Sequence, residues 1–268
     1  MSQVARWLLI LGALVTGLYG VGLGVLYANQ RSLIFPAPDR AWPTESGYQT
    51  IAYQTSDGLT LRGLYRPAAP GKPTILFFHG NGDSLSGSLV SVEAYAAHGY
   101  GLLLPEYRGY GGNPGTPDEA GLYADARAAR DWLDAQGVAA EAQILIGYSL
   151  GSGVVTQLAM ERRPAAMILI SAYTSLPDVV TYRFAGLVPT SLVKDQLATA
   201  TKIGRIEAPV LIMHDRDDVS IPVAHSQRLA GLAKGAKLLL FSGYGHQLGF
   251  AAEAQQAGLG WLAQNRLR

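Results

Sequence analysis

Six short apolar runs, separated by longer helical stretches, place the strongest constraint on the fold of this chain. The runs are residues 74–78, 101–104, 143–146, 166–170, 210–213 and 237–241. They are rich in Leu, Ile, Val and Phe and lack polar alternation, which is typical of strands covered on both faces. A predicted hairpin, from residues 48–55 to 59–65 across Asp57 and Gly58, precedes them. The pattern predicts an α/β fold with a mostly parallel, doubly wound sheet of eight strands.

Helical stretches are predicted between and after these runs. They cover residues 89–98, 117–135, 150–161, 222–232 and 250–264. Asp118 and Glu119 directly after Pro117 are typical of a first helical turn, and Gly137 is typical of a helix end. Ligands of such open sheets bind outside the carboxyl ends of the strands. We therefore expect functional residues in the loops that follow the strands.

The N-terminus is predicted to anchor the chain in a membrane. Residues 7–28 carry no charged side chain, and a helix of this length crosses the ~30 Å hydrocarbon core of a bilayer. A cleaved signal peptide is the alternative, but its apolar region is usually only about 7–15 residues long, and Leu26-Tyr27-Ala28 is a poor cleavage site. We predict a single-pass anchor in residues 1–30, a proline-containing linker, and a catalytic domain in residues 31–268.

Positive charge does not determine which way this anchor is oriented. Arg6 flanks one side of the apolar segment, and Arg31 and Arg40 flank the other. The rule that loops rich in Lys and Arg stay in the cytoplasm therefore gives little preference for either orientation of the anchor. The side of the membrane on which the catalytic domain lies is left open.

Composition and missing motifs exclude several classes of function. The net charge is +1, and no run of Lys and Arg forms a nucleic-acid footprint. The chain has no cysteine, which excludes disulfides, thiolate metal sites and a cysteine nucleophile. Neither a dinucleotide-binding glycine motif after a strand, nor His-Glu-x-x-His, nor a phosphate loop is found. We predict no cofactor, no metal and no nucleic-acid partner.

The segment Gly147-Tyr148-Ser149-Leu150-Gly151 indicates an enzymatic nucleophile. It follows a predicted strand and begins a predicted helix, and small residues stand on both sides of Ser149. This is the Gly-x-Ser-x-Gly nucleophile elbow, in which a sharp turn lifts the serine hydroxyl above the sheet. Ser149 is therefore the predicted nucleophile.

A serine hydroxyl needs a general base, and histidine has a suitable pKa. His246 lies in a glycine-containing loop after the last predicted strand, which is at the same edge of the sheet as Ser149. The other four histidines lie in less suitable positions: His79, His98, His214 and His225. His246 is therefore the predicted base.

The base in turn needs a carboxylate, which in this order of elements comes from a loop between serine and histidine. The loop after the run at residues 210–213 contains Asp215, Asp217 and Asp218. Asp218 stands four residues before Pro222, which with Ser220 marks the start of the next helix. We predict Asp218 as the acid and assign Asp215 and Asp217 to loop structure. A calcium loop is less consistent with this segment, which lacks the turn glycine and the distal glutamate.

The oxyanion of a tetrahedral intermediate needs two backbone donors. The amide of Leu150, directly after the nucleophile, is the first predicted donor. His79-Gly80-Asn81-Gly82 follows the run at residues 74–78, and its glycines let the backbone approach a substrate. The Asn81 amide is the second predicted donor, with Gly82 as the alternative.

Together these motifs resemble those of the small-capped serine hydrolases of the α/β-hydrolase superfamily, the alpha/beta-hydrolase domain proteins allied to prolyl-oligopeptidase-like enzymes. The resemblance covers nearly everything from Arg31 onward, and the apolar segment followed by residues 30–36 is similar to membrane-tethered members. The matching segments are residues 77–82, 106–111, 147–151, 214–222 and 243–246. Glu106 and Asn113 stand where Asp and Ser are more usual, and Asp215 stands where glycine is usual. Arg108 is interpreted as a structural residue of its loop.

The resemblance implies two-step acyl transfer through an acyl-enzyme, with a small-molecule acyl substrate. Carboxylic esters, thioesters and lipid esters fit this chemistry. Short peptides are the alternative substrates, and a non-catalytic binding protein on the same fold is the alternative class. Residues 171–207 are too short for a large lid domain, so a fairly open site is expected. Tyr148, beside the nucleophile, and Tyr173, in this segment, are the predicted substrate-binding residues.

Overall fold

A single sheet of eight strands forms the centre of the computed structural model, which describes residues 1–38 and 40–267. The strands are β1 (Gln49–Gln54), β2 (Thr60–Arg66), β3 (Thr74–Phe78), β4 (Gly101–Pro105), β5 (Gln143–Tyr148), β6 (Ala166–Ile170), β7 (Val210–Asp215) and β8 (Lys237–Phe241). Across the sheet their order is β1-β2-β4-β3-β5-β6-β7-β8. β2 pairs antiparallel with β1 and β4, and all other neighbours pair in parallel. The predicted hairpin and the mostly parallel sheet are confirmed.

Helices cover both faces of this sheet, as in a doubly wound fold. They are α1 (Gln3–Ile34), α2 (Leu85–Ala97), α3 (Glu119–Ala135), α4 (Leu150–Glu161), α5 (Leu176–Arg183), α6 (Thr199–Lys202), α7 (Ala224–Leu232) and α8 (Ala252–Gln264). Side chains of α3, α4 and α7 pack into one apolar cluster, and those of α2 and α8 pack into the other. Every residue of β3, β4, β5 and β6 is buried, which explains why these runs contain no polar alternation.

The helix starts differ from the predicted ones for local reasons. α3 begins at Glu119 rather than at Pro117, because the Asp118 side chain caps it by accepting a hydrogen bond from the Gly121 amide at 2.7 Å. α2 begins at Leu85, four residues before the predicted start, directly after the extended residue Ser84. α5 and α6 were not predicted. Both are short, with eight and four residues, and lie in the segment that follows β6.

α1 is longer than the predicted apolar segment at residues 7–28. It runs from Gln3 to Ile34, and its backbone continues into Phe35, which is 3% exposed and belongs to the core. The helix is long and apolar enough to cross a membrane, and none of its most apolar window is buried. No helix continues beyond residue 34 into the proline-containing linker, of which residue 39 lies outside the described residues. The division at residue 30 stays a prediction.

Arg108 ties the loop after β4 to two other parts of the fold. Its backbone amide and its Nε donate to the two carboxylate oxygens of Asp125 in α3, at 3.0 and 2.8 Å. Its Nη1 donates to Asp57 of the β1–β2 turn at 2.7 Å, and this hydrogen bonding lowers the pKa of Asp57 to about 2. Asp125 is 1% exposed, so its charge depends on Arg108 for compensation.

We expect Arg108→Ala to lower the free energy of unfolding by about 3–5 kcal/mol, because it leaves the buried Asp125 carboxylate without its partner. Arg127→Ala is the matched control. Arg127 pairs with Glu161 at the surface, with side chains 42% and 22% exposed, and such pairs contribute about 0–1 kcal/mol. Denaturant titration of both variants in the same detergent measures the difference. Equal losses in the two variants would refute a structural role for Arg108.

Candidate active site

Ser149 occupies a strained turn between β5 and α4. Its backbone has φ 50° and ψ −114°, a region that residues other than glycine rarely adopt. A Cβ on Gly147 would lie 2.5 Å from the Gly151 carbonyl oxygen, and one on Gly151 would overlap the Phe78 carbonyl. Only glycine therefore fits on either side of the turn. This geometry is that of a nucleophile elbow.

His246 lies in the loop after β8, and its ring bridges the serine and an aspartate. Nε2 is 3.0 Å from the Ser149 hydroxyl oxygen, and Nδ1 is 2.7 Å from Asp218 Oδ2. A tautomer that carries its proton on Nδ1 donates to the carboxylate and leaves Nε2 free to accept from the serine. The histidine side chain is 24% exposed and the aspartate side chain is fully buried. The structure therefore brings the three predicted residues into one hydrogen-bonded chain.

Asp218 is held as a carboxylate by the loop around it. Its Oδ1 accepts hydrogen bonds from the amides of Ser220 and Ile221, each at 2.9 Å. His214, a fully buried residue of β7, has its Nε2 3.5 Å from Oδ2. Burial alone would raise the pKa of Asp218, but the nearby His214 ring and the hydrogen bonds from His246 and the Ile221 amide outweigh burial and hold the pKa well below its usual range.

The other two acids of this loop join it to the histidine loop. Asp215 accepts from the amides of Asp217 at 2.8 Å and Tyr244 at 3.0 Å. Asp217 accepts from the Gly243 amide at 2.8 Å. Asp215 and Asp217 thus bind backbone groups beside His246 and do not contact its ring. Sequence reasoning assigned them to loop structure without identifying these partners, since Tyr244 and Gly243 lie more than 20 residues further along the chain.

The two predicted oxyanion donors belong to residues beside the cavity that contains Ser149. Leu150 and Asn81 line the same cavity as Ser149, and neither of their amides donates to another described residue. The Ser149 amide itself is engaged with the Ile170 carbonyl at 2.9 Å. Gly82, the alternative donor, has φ +67° and is not part of the described lining of the cavity. Leu150 and Asn81 therefore line the cavity and Gly82 does not, and their role as oxyanion donors stays a prediction.

A buried ion pair supports the loop that carries Asn81. His79 is fully buried, with Nε2 2.8 Å from Glu106 Oε1 and Nδ1 2.8 Å from the Gly80 carbonyl. Burial by itself would lower the pKa of His79, but the Glu106 carboxylate outweighs this effect and raises the pKa. The glutamate that departs from the usual family pattern is thus a partner of His79, a pairing that no sequence signal revealed.

A cavity of about 500 Å³ opens beside the nucleophile. Its polar end contains Asn81, Ser149 and His246, with Leu150 and Tyr173 next to them. Tyr173 is 1% exposed and donates its hydroxyl to the Leu150 carbonyl at 3.2 Å. The volume is in the range of small-molecule sites. Among the described residues, no group of His, Cys, Asp and Glu side chains is arranged to hold a metal ion.

Two helices contribute apolar side chains to the lining of this cavity, one of them from outside the segment at residues 171–207. α5, which was not predicted, contributes Leu176, Val179 and Val180. α1 contributes Leu23 and Leu26 from the predicted membrane anchor. The part of the lining that comes from α1 is a long-range contact with the active site, which local sequence patterns do not reveal.

Tyr148, predicted to bind substrate, packs beside the histidine. It is 3% exposed and is not part of the cavity lining. Its hydroxyl donates to the His246 carbonyl, and its ring lies 5.6 Å from the imidazole and 5.5 Å from Phe250 between centroids. Tyr148 therefore supports the histidine loop.

Comparisons with known proteins agree with this architecture. An uncharacterized protein of Mycobacterium tuberculosis is 38% identical over 233 residues, with 82% of each chain covered. The lysophosphatidylserine lipase ABHD12 of Xenopus tropicalis is 29% identical, with 70% of this chain and 54% of the lipase covered. A Pyrococcus furiosus esterase superposes with TM-score 0.70 at 17% identity, covering 85% of this chain and 96% of the esterase. A bacterial membrane phospholipase A superposes with TM-score 0.66 at 16% identity over the whole of both chains.

The sequence model of the alpha/beta hydrolase family matches residues 75–194, from β3 into the segment after α5. This match contains the elbow and the loop of the second predicted oxyanion donor. Together with the M. tuberculosis relative and the eight-stranded sheet, it identifies the fold and the family. The chain belongs to the alpha/beta hydrolase family.

Proposed function

We propose that this protein is a membrane-anchored serine hydrolase that cleaves carboxylic esters with apolar acyl groups. Its family and its esterase and lipase relatives support ester hydrolysis in general. One observation carries the more specific proposal. The hydrogen-bonded chain from Ser149 through His246 to Asp218 opens directly into a largely apolar cavity.

In the proposed reaction, Ser149 Oγ attacks the ester carbonyl while His246 Nε2 takes the hydroxyl proton. Asp218 holds the imidazole in the required tautomer and stabilises the imidazolium that forms. The amides of Leu150 and Asn81 are placed to donate to the developing oxyanion. His246 then protonates the departing alcohol oxygen, and a water molecule hydrolyses the acyl-enzyme by the same steps in reverse.

The lining of the cavity favours esters over peptides. Leu176, Val179, Val180 and Phe184 give one side of the cavity an apolar surface that suits an acyl chain. A peptide backbone would need hydrogen-bonding partners along its length, because unpaired amides are costly to bury. Thioesters share the acyl-transfer chemistry and remain substrates of the same proposal.

Covalent labelling tests this proposal on the full-length protein. A fluorophosphonate probe is expected to modify the peptide that contains Ser149, and p-nitrophenyl esters are expected to be hydrolysed faster than short peptide amides. Labelling of a different residue would assign the nucleophile elsewhere. A folded protein that neither reacts with the probe nor cleaves any ester would instead be a non-catalytic binding protein.

The membrane anchor gives a separate prediction. Because the most apolar window of α1 contains no buried residue, we expect the full-length chain to stay with the membrane in alkaline carbonate and to need detergent for release. Sedimentation after carbonate treatment, followed by immunoblotting, measures this. A peripheral membrane protein in the same sample is the control. Release of the chain by carbonate would refute the anchor.

A further inference from the structure

One face of α1 is turned toward the active site. Four of its side chains are less exposed than their neighbours and line the cavity that contains Ser149: Leu23, Leu26, Gln30 and Ile34. Their spacing of three, four and four residues places them on a single helical face. Val21 and Val25, on the opposite face, are 66% and 57% exposed. This part of the predicted anchor therefore presents one face to the active site and the opposite face to the exterior of the protein.

Specific hydrogen bonds hold α1 at this position. Gln30, 9% exposed, donates to the Leu192 carbonyl at 3.1 Å and accepts from the Lys194 amide at 2.8 Å. Arg31 Nε donates to Asp195 at 3.3 Å. Because the Gln30 side chain is paired with two backbone groups, it fixes both the position of α1 along its axis and the rotation of α1 about that axis. The apolar side chains of Leu23, Leu26 and Ile34 are therefore held against the cavity.

The cavity is polar at one end and apolar over most of its remaining wall. Ser149, His246 and Asn81 form the polar end, while α1 and α5 both supply apolar side chains to the rest of the lining. Arg183, an exposed residue at the end of α5, adds a cationic group to the lining. An ester carbonyl at the polar end would therefore place its acyl chain against apolar side chains of α1 and α5.

We propose that α1 forms one wall of the acyl-binding site and that Leu23 and Leu26 set the preferred acyl-chain length. The substrate in this proposal is a lipid ester taken from the bilayer. The proposal rests on the proposed ester hydrolysis. Leu23 and Leu26 lie within the apolar segment at residues 7–28, so the cavity lies next to the part of the helix that enters the hydrocarbon region. An acyl chain then moves from lipid to cavity along α1 without complete exposure to water.

Leu26→Trp in the full-length protein tests the wall. The larger side chain is expected to shorten the cavity and lower the ratio of kcat/KM for p-nitrophenyl dodecanoate to that for the butyrate by about tenfold or more, since even one methylene changes discrimination by about 10–200-fold in apolar pockets. Val25→Trp is the matched control, with the same substitution on the neighbouring residue that faces away from the cavity. Its ratio should stay within about twofold of wild type.

The outcomes separate this inference from the proposed function. An unchanged ratio in Leu26→Trp with normal ester hydrolysis would refute the role of α1 and leave the hydrolase intact. Absence of ester hydrolysis in the wild-type protein would refute the proposed function itself. A similar fall of the ratio in both tryptophan variants would also refute the assignment, because the effect would not depend on the face of the helix.

A cross-linking experiment on the wild-type protein avoids any effect of substitution on folding. The probe is a long-chain alkyl fluorophosphonate with a diazirine at the end of its chain, presented in detergent or in phosphatidylcholine vesicles. Ser149 Oγ forms the phosphorus–oxygen bond, fluoride leaves, and the hydroxyl proton passes to His246. Illumination then expels nitrogen, and the carbene inserts into the nearest residue. Insertion within residues 23–34 is the expected result, and insertion exclusively outside this range would overturn the proposal.

Discussion

Replacing Ser149 with alanine is expected to lower kcat for ester hydrolysis by about 10⁶-fold, as loss of the nucleophile does in other serine hydrolases with such a triad. No other described side chain offers an oxygen or nitrogen nucleophile at the strained position above the sheet, 3.0 Å from His246 Nε2. His246→Ala should be nearly as damaging, because the hydroxyl would lose its base. Steady-state hydrolysis of a short p-nitrophenyl ester by purified variants measures both effects.

The double variant and a control histidine sharpen this test. Members of a triad act as a unit, so Ser149→Ala combined with His246→Ala should be no slower than either single variant. His98→Ala is the control, because His98 is exposed and bonds only to the Ala94 carbonyl of its own helix among the described residues. Near-wild-type turnover in Ser149→Ala or His246→Ala would show that the assignment of the nucleophile or the base is wrong.

Asp218→Asn is expected to lower kcat by about 10⁴-fold, because an amide of the same shape presents the histidine in the wrong tautomer. Asp217→Asn is the control. It changes a carboxylate in the same loop, whose bond is to the Gly243 amide rather than to the imidazole, and should reduce kcat far less. Asp215→Asn should lie between them, since buried Asp215 holds the Tyr244 amide near His246.

Comparison of kcat among the three Asp→Asn variants identifies the carboxylate that serves His246. The activity of the wild-type protein in mild acid gives a second check. The low pKa of Asp218 keeps its carboxylate ionised well into the acid range, so loss of wild-type activity in mild acid should not arise from protonation of this residue. Circular dichroism of each variant controls for unfolding. A larger loss in Asp217→Asn than in Asp218→Asn would contradict the proposed acid.

Much of the fold could be predicted because the apolar pattern of each strand is encoded in neighbouring residues. The runs that became β3 and β6 are apolar throughout, since both of their faces are buried, and their predicted bounds match the structure. The elbow was equally readable, because glycines at 147 and 151 are required by close backbone contacts on either side of Ser149. Helix starts were less accurate, since capping by residues such as Asp118 decides them.

The sequence by itself determined the sheet, the order of the catalytic elements and the identity of Ser149, His246 and Asp218 as the residues to examine, because strand periodicity, turn glycines and helix starts are encoded in neighbouring residues. Only the tertiary structure decided that side chains of α1 line the cavity, that Glu106 pairs with His79, and that Tyr148 bonds the His246 carbonyl. These contacts join segments far apart in the chain. Their formation depends on how the folded layers pack, which no local pattern specifies.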